Sequence, residues 1–290
     1  MDPTILAQLV INGVLLGGVY ALAAFGLSLI FGVSGILNLT HGEFLMVSGF
    51  LVFVLFDKLG WDPFVLVALV TPVFFFVGYA FEKVLIRPLQ ARKEHVKLAS
   101  AVLVTLGAAL IIEDFAAFFS QDVQYEKSVD LFLPTLVIAD VYLPTLKLVV
   151  FGLVLLLIAG LFLFLKFTYT GLAVQAVTQN RFGALLNGVN TTRINAIAFG
   201  IGTLLAAAAG GFEVIHSYIS PAIGLPLTLK YLSIIVMGGL GSFLGVAVGG
   251  AIIGLGESFV GFFNPAWGQT VAYFLLVFVL LVRPKGLFGR

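Results

Sequence analysis

Apolar runs of about twenty residues recur along the chain, separated by short polar breaks. Crossing a bilayer core of about 30 Å takes ~20 apolar residues, because an α-helix rises 1.5 Å per residue. We therefore predict an all-α, polytopic membrane protein with about eight transmembrane helices. The predicted helical runs are Leu6–Phe31, Ile36–Phe56, Phe64–Ile86, Leu98–Phe119, Leu148–Phe167, Ile194–His216, Leu227–Phe263 and Trp267–Val282.

The composition supports a membrane protein and argues against a soluble one. Hydrophobic residues make up 61% of the chain and charged residues only 10%, whereas soluble domains carry about 25% charged residues. At roughly 30 residues per crossing and loop, the 290 residues form one transmembrane domain over 1–290 and leave no room for a sizeable soluble domain. The absence of cysteine excludes disulfides and thiolate metal sites.

Two of the runs are expected to be broken. The polar segment at 36–43 interrupts the start of the second helix, and the glycines within 238–245 interrupt a run that is too long for a single span. Interrupted helices of this kind often lie at the substrate pathway of transporters. The weak likeness between Leu27–Leu51 and Ile235–Ile252 suggests that the two breaks correspond to each other as an internal repeat.

Lysine and arginine clusters predict the orientation, because cytoplasmic loops carry an excess of these residues. The three clusters are Arg87, Arg92, Lys93 and Lys97; Lys166, Arg181 and Arg193; and Arg283, Lys285 and Arg290. The acidic stretch 120–147 is expected to face outward and to form a small β-hairpin from Leu131–Leu133 and Val137–Ile138. Counting crossings then places the N-terminus outside.

The first candidate site gathers polar side chains beside apolar helices: Asn38, Thr40, His41, Gly42 and Glu43. Polar groups are expensive at membrane depth, so such residues line a cavity, pair with one another or lie at the interface. One interpretation is a helix break that lines the substrate pathway or its gate. The other is an interfacial N-cap, with Asn38 or Thr40 capping the second helix and Glu43 near its positive end.

The second candidate site is the polar segment 170–189 on the predicted cytoplasmic side. It combines apolar positions such as Leu185 with the polar residues Gln175, Gln179, Asn180 and Arg181, and Gly188 is placed as a helix C′ glycine. Such a segment either docks into a groove on a soluble partner or lies flat as an ordinary interfacial helix.

Four isolated charges fall within predicted spans: Glu113, Glu213, Lys230 and Glu257. Each is a candidate for the pathway, and Glu213 is the one we include. For Lys230 we expect the ammonium to snorkel to the surface, and for Glu257 an interfacial position.

Known catalytic and cofactor motifs are missing from the chain. It contains no phosphate-binding loop of the form G-x-x-x-x-G-K-[ST], no nucleophile elbow and three widely separated histidines. We therefore predict no catalytic residue, no metal site, no cofactor in this chain and no enzymatic activity. Nothing in it suggests a nucleic-acid partner.

Several of these segments together resemble one family. The stretch Gly17–Phe50, Arg87-Pro88-Leu89, the segment 170–193, Met237–Ser242 and the tail Arg283–Gly289 are similar, in the same order, to the branched-chain amino acid ABC permeases of the LivH type. Two motifs depart from the usual family pattern. Asn38-Leu39-Thr40-His41-Gly42 replaces Asn-Phe-Ala-His-Gly, and Gln179-Asn180-Arg181-Phe182-Gly183 replaces Gln-Asp-Arg-Glu-Ala.

The resemblance implies a permease of the bacterial or archaeal plasma membrane that imports small or branched-chain amino acids. Its partners would be a second homologous permease, two ATP-binding cassette subunits that bind ATP and Mg, and an extracytoplasmic substrate-binding protein. Residues 179–188 would contact an ATPase subunit. Transport would proceed by alternating access.

Other functions remain open from the sequence. A self-sufficient secondary transporter or channel would need an ion-coupling site, and a membrane-embedded enzyme would need a catalytic cluster. Within the same transport class, the substrate could instead be urea, an amide, an aromatic acid or a sugar.

Overall fold

The computed structural model describes residues 2–90, 94–120, 126–129, 131, 134–138 and 141–289. Helices dominate these parts: α1 Pro3–Ser34, α2 His41–Leu59, α3 Pro63–Phe81, α4 Glu94–Ser120, α5 Thr145–Phe167, α6 Tyr169–Gln179, α7 Arg181–Leu186, α8 Thr191–His216, α9 Gly224–Gly238, α10 Phe243–Phe263, α11 Pro265–Gly268 and α12 Val271–Val282. Helix α3 continues as a π-helical turn, Glu82–Ile86, and a 3₁₀ turn, Arg87–Leu89. Within the described ranges, eight helical segments are long and apolar enough to cross a membrane, which confirms the predicted fold class.

Glycines bring the central helices into backbone contact. Helices α1 and α10 pack antiparallel, and a Cβ atom on Gly254 would overlap the carbonyl oxygen of Gly13. One turn further along, a Cβ on Gly17 would lie 2.7 Å from the carbonyl oxygen of Gly250. Small residues drive helix association in lipid because they let backbones approach closely. The core therefore lies where α1 meets α8, α9 and α10.

The two ends of the bundle differ in what they carry. At the hairpin end, the side chain of Gln8 near the start of α1 forms two hydrogen bonds with the backbone of Tyr142, at 2.5 and 2.9 Å. At the opposite, basic end, Arg181 lies beside Gln90, and the tail at Leu287 bonds to Met237. The predicted topology likewise places the N-terminus on the side of the hairpin and the basic segments on the opposite side.

Two connections, one from each end of the bundle, return into its interior before the next helix begins. The first connection is 35–40. It begins at Gly35, whose left-handed backbone (φ +65°) ends α1. It leads back to His41, which contacts the carbonyl of Ala23, eleven residues or about 16 Å before the end of α1. Residues 217–223 return from the hairpin end to Gly224, and the last three of them, Pro221–Ile223, form a 3₁₀ turn that leads into α9. Non-helical backbone at this depth is tolerated where protein buries it.

Both α2 and α9 therefore begin inside the bundle. We call them half-helices for this internal start alone, since α2 has 19 residues and the segment Pro221–Gly238 has 18. The prediction that the second helix starts at Ile36 is wrong, because the helix begins only at His41, after a return of five non-helical residues. The two half-helices run to opposite ends: α2 towards the hairpin end and α9 towards the basic end.

The predicted break within 238–245 is confirmed, but its correspondence with the break at 36–43 is wrong. Helix α9 ends at Gly238, and α10 begins at Phe243 after a tight turn with positive φ at Gly239 and Gly241. This turn lies at the basic end and does not re-enter the bundle. The connection that matches 35–40 is instead 217–223.

The predicted hairpin is present with shifted strands. Strand β1, Leu136–Ile138, pairs antiparallel with β2, Val141–Leu143. Leu131 belongs to no strand, and the rest of the strand predicted at Leu131–Leu133 lies outside the described residues. Beside the hairpin, Lys127 and Ile219 exchange two backbone hydrogen bonds of 2.8 Å.

Candidate functional site

The N-termini of α2 and α9 meet head to head inside the bundle. The backbone N–H of Gly42 donates to the Thr228 hydroxyl at 2.7 Å, and that hydroxyl donates to the carbonyl of Gly224 at 3.1 Å. A Cβ on Gly42 would overlap the carbonyl oxygen of Gly224. We name this contact, formed by Gly42, Glu43, Gly224 and Thr228, the helix junction.

Glu43 places a carboxylate at the helix junction. Its side chain is fully buried, and a Cβ on Gly224 would overlap its carboxyl group. Neither carboxylate oxygen has a hydrogen-bond partner among the described residues. The group lies in the first turn of α2 and against the first residue of α9, so the positive ends of two helix dipoles act on it.

Of the predicted N-cap, the positions of Thr40 and of Glu43 in the first turn are confirmed, whereas the side-chain capping bond is wrong. Thr40 occupies the N-cap position of α2 without a side-chain capping bond, and its hydroxyl donates instead to the carbonyl of Thr105 on α4 at 2.8 Å. Asn38 accepts from the Thr40 N–H at 3.2 Å. Nε2 of His41 lies 2.9 Å from the carbonyl oxygen of Ala23. These polar groups tie the half-helix to α1 and α4 at depth.

The segment 170–189 forms two short helices joined at Asn180. The Asn180 side chain caps α7 by accepting from the N–H of Gly183 at 2.8 Å, which breaks the segment into α6 and α7. At the other end of α7, Gly188 has φ +80°, and the N–H of Val189 bonds to the carbonyl of Ala184 at 3.0 Å. This is the Schellman arrangement, and it confirms Gly188 as the C′ glycine.

The predicted contact residues of this segment face in two directions. Gln179, Asn180, Leu185 and Gly188 are exposed at the basic end. Gln175 and Arg181 instead turn towards the bundle. The Gln175 amide donates to the carbonyl of Leu165 at 2.7 Å, and the Arg181 guanidinium donates to Gln90 at 3.2 Å. The large apolar side chains exposed on α7 are Phe182, Leu185 and Leu186.

Comparison with known proteins identifies the family. The sequence profile described as branched-chain amino acid transport system / permease component matches residues 9–280. The chain belongs to this family. It is 32% identical to the high-affinity branched-chain amino acid transport system permease protein BraD of Pseudomonas aeruginosa, over 98% of this chain and 95% of that protein. It is 29% identical to the LivH permease protein of Escherichia coli K12, over the same shares of both chains.

A solved structure is also similar in shape. A chain of PsaBC from Streptococcus pneumoniae in complex with Fab is 12% identical, with a TM-score of 0.49 over 96% of this chain and 92% of that one.

Membership of the branched-chain amino acid permease family confirms the predicted resemblance. Together with the eight apolar helices, it makes this chain a multi-pass protein of the plasma membrane. The curated relatives are named as transport permeases rather than as enzymes. No group of three or more His, Cys, Asp or Glu side chains that could hold a metal occurs in the parts of the chain that the structure describes.

This permease also contains a buried ion pair that the sequence analysis missed. Nζ of Lys230 on α9 lies 3.0 and 3.2 Å from the carboxylate oxygens of Glu257 on α10 and 3.0 Å from the hydroxyl of Tyr20 on α1. The prediction of a snorkelling Lys230 is therefore wrong, since only 6% of its side-chain surface is exposed and its ammonium is paired inside the protein. The interfacial position of Glu257 stays a prediction. The available signal was a pair of opposite charges on consecutive helices joined by a glycine turn.

Glu213 lies apart from the helix junction. It is near the end of α8, and its carboxylate faces His216 of the same helix, with Oε2 3.8 Å from Nε2. The side chain is buried, and its charge acts on the buried Tyr20 and Tyr231. Its assignment to the pathway stays a prediction.

Proposed function

We propose that this chain is the membrane-spanning subunit of a binding-protein-dependent ABC importer for branched-chain or related small amino acids. The observation that carries the proposal is the helix junction. Transporter sites lie near the bilayer midplane, where discontinuous helices place their ends. Here two half-helices meet at depth and run to opposite ends of the bundle.

The helix junction suits alternating access. Because α2 lines the half of the bundle towards the hairpin end and α9 the half towards the basic end, displacing either half-helix opens a path from one side only. The glycine contact between Gly42 and Gly224 closes the centre when both are in place. Packed interfaces of this kind switch between discrete arrangements rather than deform continuously.

The proposed docking surface for an ATPase subunit is the exposed face of α6 and α7. Phe182 is 70% exposed and Leu186 72%, and both stand at the basic end beside the exposed cap Asn180. An apolar patch with a polar rim is typical of a protein contact. The full complex would hold a second homologous permease, two ATPase subunits that bind ATP and Mg, and an extracytoplasmic substrate-binding protein.

Reconstitution tests the proposal directly. The chain is placed in liposomes alone, or together with the permease, ATPase and binding-protein partners encoded beside it, and uptake of labelled leucine is measured. Uptake is expected only when all the partner proteins are present and ATP is supplied to the ATPase subunits. Uptake by the chain alone, driven by an ion gradient, would identify a secondary transporter and reject the proposal.

A surface variant tests the docking face. Leu186→Asp should reduce co-purification of the ATPase, because it places a charge in an apolar contact. Val137→Asp is the matched control, since Val137 is an exposed apolar residue at the hairpin end. Equal ATPase recovery with both variants would remove α7 from the contact.

Glu43→Gln tests the helix junction. The variant keeps the shape of the side chain but replaces the carboxyl group between two helix N-termini by an amide, so we expect impaired transport or impaired folding. Asp57→Asn, at the exposed end of the same helix, is the control. If uptake and the size-exclusion profile both stay at the wild-type level, the Glu43 carboxylate has no part in the mechanism.

A further inference from the structure

We propose that Gln90 is a positioning residue that transmits movement of α6 and α7 to the helix junction. The inference rests on the proposed function, because it assumes that an ATPase moves this segment. It gives a physical role to the Arg87-Pro88-Leu89 turn, which places Gln90 between the segment and α3.

Gln90 joins two charged side chains through one amide. The Arg181 guanidinium donates to its Oε1 at 3.2 Å, while its Nε2 donates to Oε1 of Glu82 at 3.2 Å. The amide thus presents its acceptor to the cation and its donor to the carboxylate. Only this orientation satisfies both neighbours, because guanidinium only donates and a carboxylate only accepts.

Glu82 makes the bridge sensitive to displacement. Its side chain is fully buried, and its other carboxylate oxygen has no hydrogen-bond partner among the described residues. The charges of Arg87, Lys83 and Arg181 act on it from the basic end. Withdrawing Arg181 and Gln90 would leave a buried carboxylate with poor compensation, which is costly. We therefore expect the Glu82 carboxylate to move together with Gln90 and Arg181.

The backbone at Glu82 can accommodate such a movement. Helix α3 changes there from α-helical to a π-helical turn, Glu82–Ile86, and then to a 3₁₀ turn. π-Helical turns are rare and concentrate at functional sites, where they shift the register of a helix. A pull on Glu82 therefore acts where α3 is already irregular.

Aromatic contacts continue the connection to the helix junction. The ring of Phe81, adjacent to Glu82, packs edge-on against Phe44 with centroids 5.2 Å apart. Phe44 follows Glu43 in the first turns of α2. Phe81 also stacks on Phe199 of α8 at 6.4 Å. The contacts Arg181–Gln90–Glu82 and Phe81–Phe44 thus form one continuous path from the docking segment to the half-helix α2.

Transport per ATP hydrolysed is the quantity that tests the proposal. In the reconstituted complex, Gln90→Leu should keep ATP hydrolysis but lower leucine uptake per ATP by at least roughly fivefold, because it removes two side-chain hydrogen bonds and each corresponds to a factor of about five. A purely structural glutamine would change the amount of complex and leave this ratio unchanged. Gln8→Ala is the matched control, because it removes a glutamine bridge at the hairpin end.

A charge-preserving exchange provides the rescue. In the double variant Glu82→Gln with Gln90→Glu, the carboxylate at 90 can accept from both Arg181 and the amide at 82, so the bridge is restored and the ratio should recover. The single variant Gln90→Glu places two carboxylates together and should lower the ratio. Should Gln90→Leu fail to assemble, Arg181→Met removes one of the two bonds, that to the Gln90 oxygen, and must lower the ratio.

The outcomes separate this inference from the proposed function. An unchanged ratio in Gln90→Leu, or an exchange variant no better than Gln90→Glu, would overturn the role of Gln90. Failure of the wild-type complex to show ATP-driven uptake would instead overturn the proposed function.

Discussion

Removing one partner of the buried ion pair should destabilise the protein much more than removing both. Lys230→Met leaves the Glu257 carboxylate, 15% exposed, between helices without its cation. Breaking a buried pair in this way costs about 3–5 kcal/mol. Glu257 keeps some exposure, so we expect the lower end, ~3 kcal/mol.

The double variant Lys230→Met with Glu257→Met removes the charges together. Replacing a buried ion pair by apolar residues of similar size is often neutral, so its stability should return to within about 1 kcal/mol of the wild type. The Tyr20 hydroxyl then loses its partner at 3.0 Å, which accounts for a remaining deficit of about 1 kcal/mol.

Equilibrium unfolding by SDS titration in mixed micelles measures these differences, and a double-mutant cycle isolates the pair. Lys58→Met, at the exposed end of α2, is the control and should change the free energy of unfolding by less than about 0.5 kcal/mol. The reasoning is refuted if Lys230→Met is as stable as the control. It is equally refuted if the double variant is no more stable than the single one.

Three further predictions follow from local geometry. Gly210→Ala should destabilise the protein by about 1–3 kcal/mol, because its Cβ would overlap a backbone carbonyl of α2. Gly152→Ala, which has open space around its Cβ, should not, and equal SDS midpoints for the two variants would contradict this. Gly188→Ala should cost ~1–2 kcal/mol locally, since φ is +80°, and should speed hydrogen exchange at the end of α7; unaltered exchange would refute it. Because the chain has no cysteine, Val137→Cys should react with an impermeant thiol reagent in intact cells and Phe182→Cys only after permeabilisation; the reverse pattern would invert the proposed topology.

The helices themselves could be predicted because the signal for them is local. The run predicted at Leu148–Phe167 is α5, Thr145–Phe167, and the run at Ile194–His216 is α8, Thr191–His216. Each depends on some twenty consecutive apolar residues and on caps such as Asn190, which accepts from the N–H of Arg193 at 3.0 Å. The glycine turn after α9 was also a local signal.

The depth at which a helix begins and the pairing of buried charges could not be predicted, because both depend on residues far apart in the chain. The apolar residues after Gly35 have the hydropathy of a helix, yet they form the non-helical return that lets α2 start at His41. Tyr20 is 210 residues away from Lys230 in the chain, so the sequence does not show that the two side chains meet and predicts a snorkelling ammonium instead. The correspondence between the breaks failed for the same reason: glycine content marks a turn but does not say whether the chain re-enters the bundle.

The helix junction places a carboxyl group without a hydrogen-bond partner in the described parts of the chain between two helix N-termini. Each helix N-terminus carries about half a positive elementary charge, so two N-termini meeting head to head place about one positive charge at the centre of the bundle. Neither α2 nor α9 has a side-chain cap. The carboxyl group of Glu43 lies where this field stabilises its ionised form, and the glycines at Gly42 and Gly224 let both helix ends approach it. An ionised carboxylate at this position interacts with two helix N-termini and with no single hydrogen-bond donor among the residues that the structure describes. It is therefore stabilised only while both helix ends are in place. Moving either half-helix therefore weakens its stabilisation, which ties the opening of a path at either end of the bundle to the same buried charge.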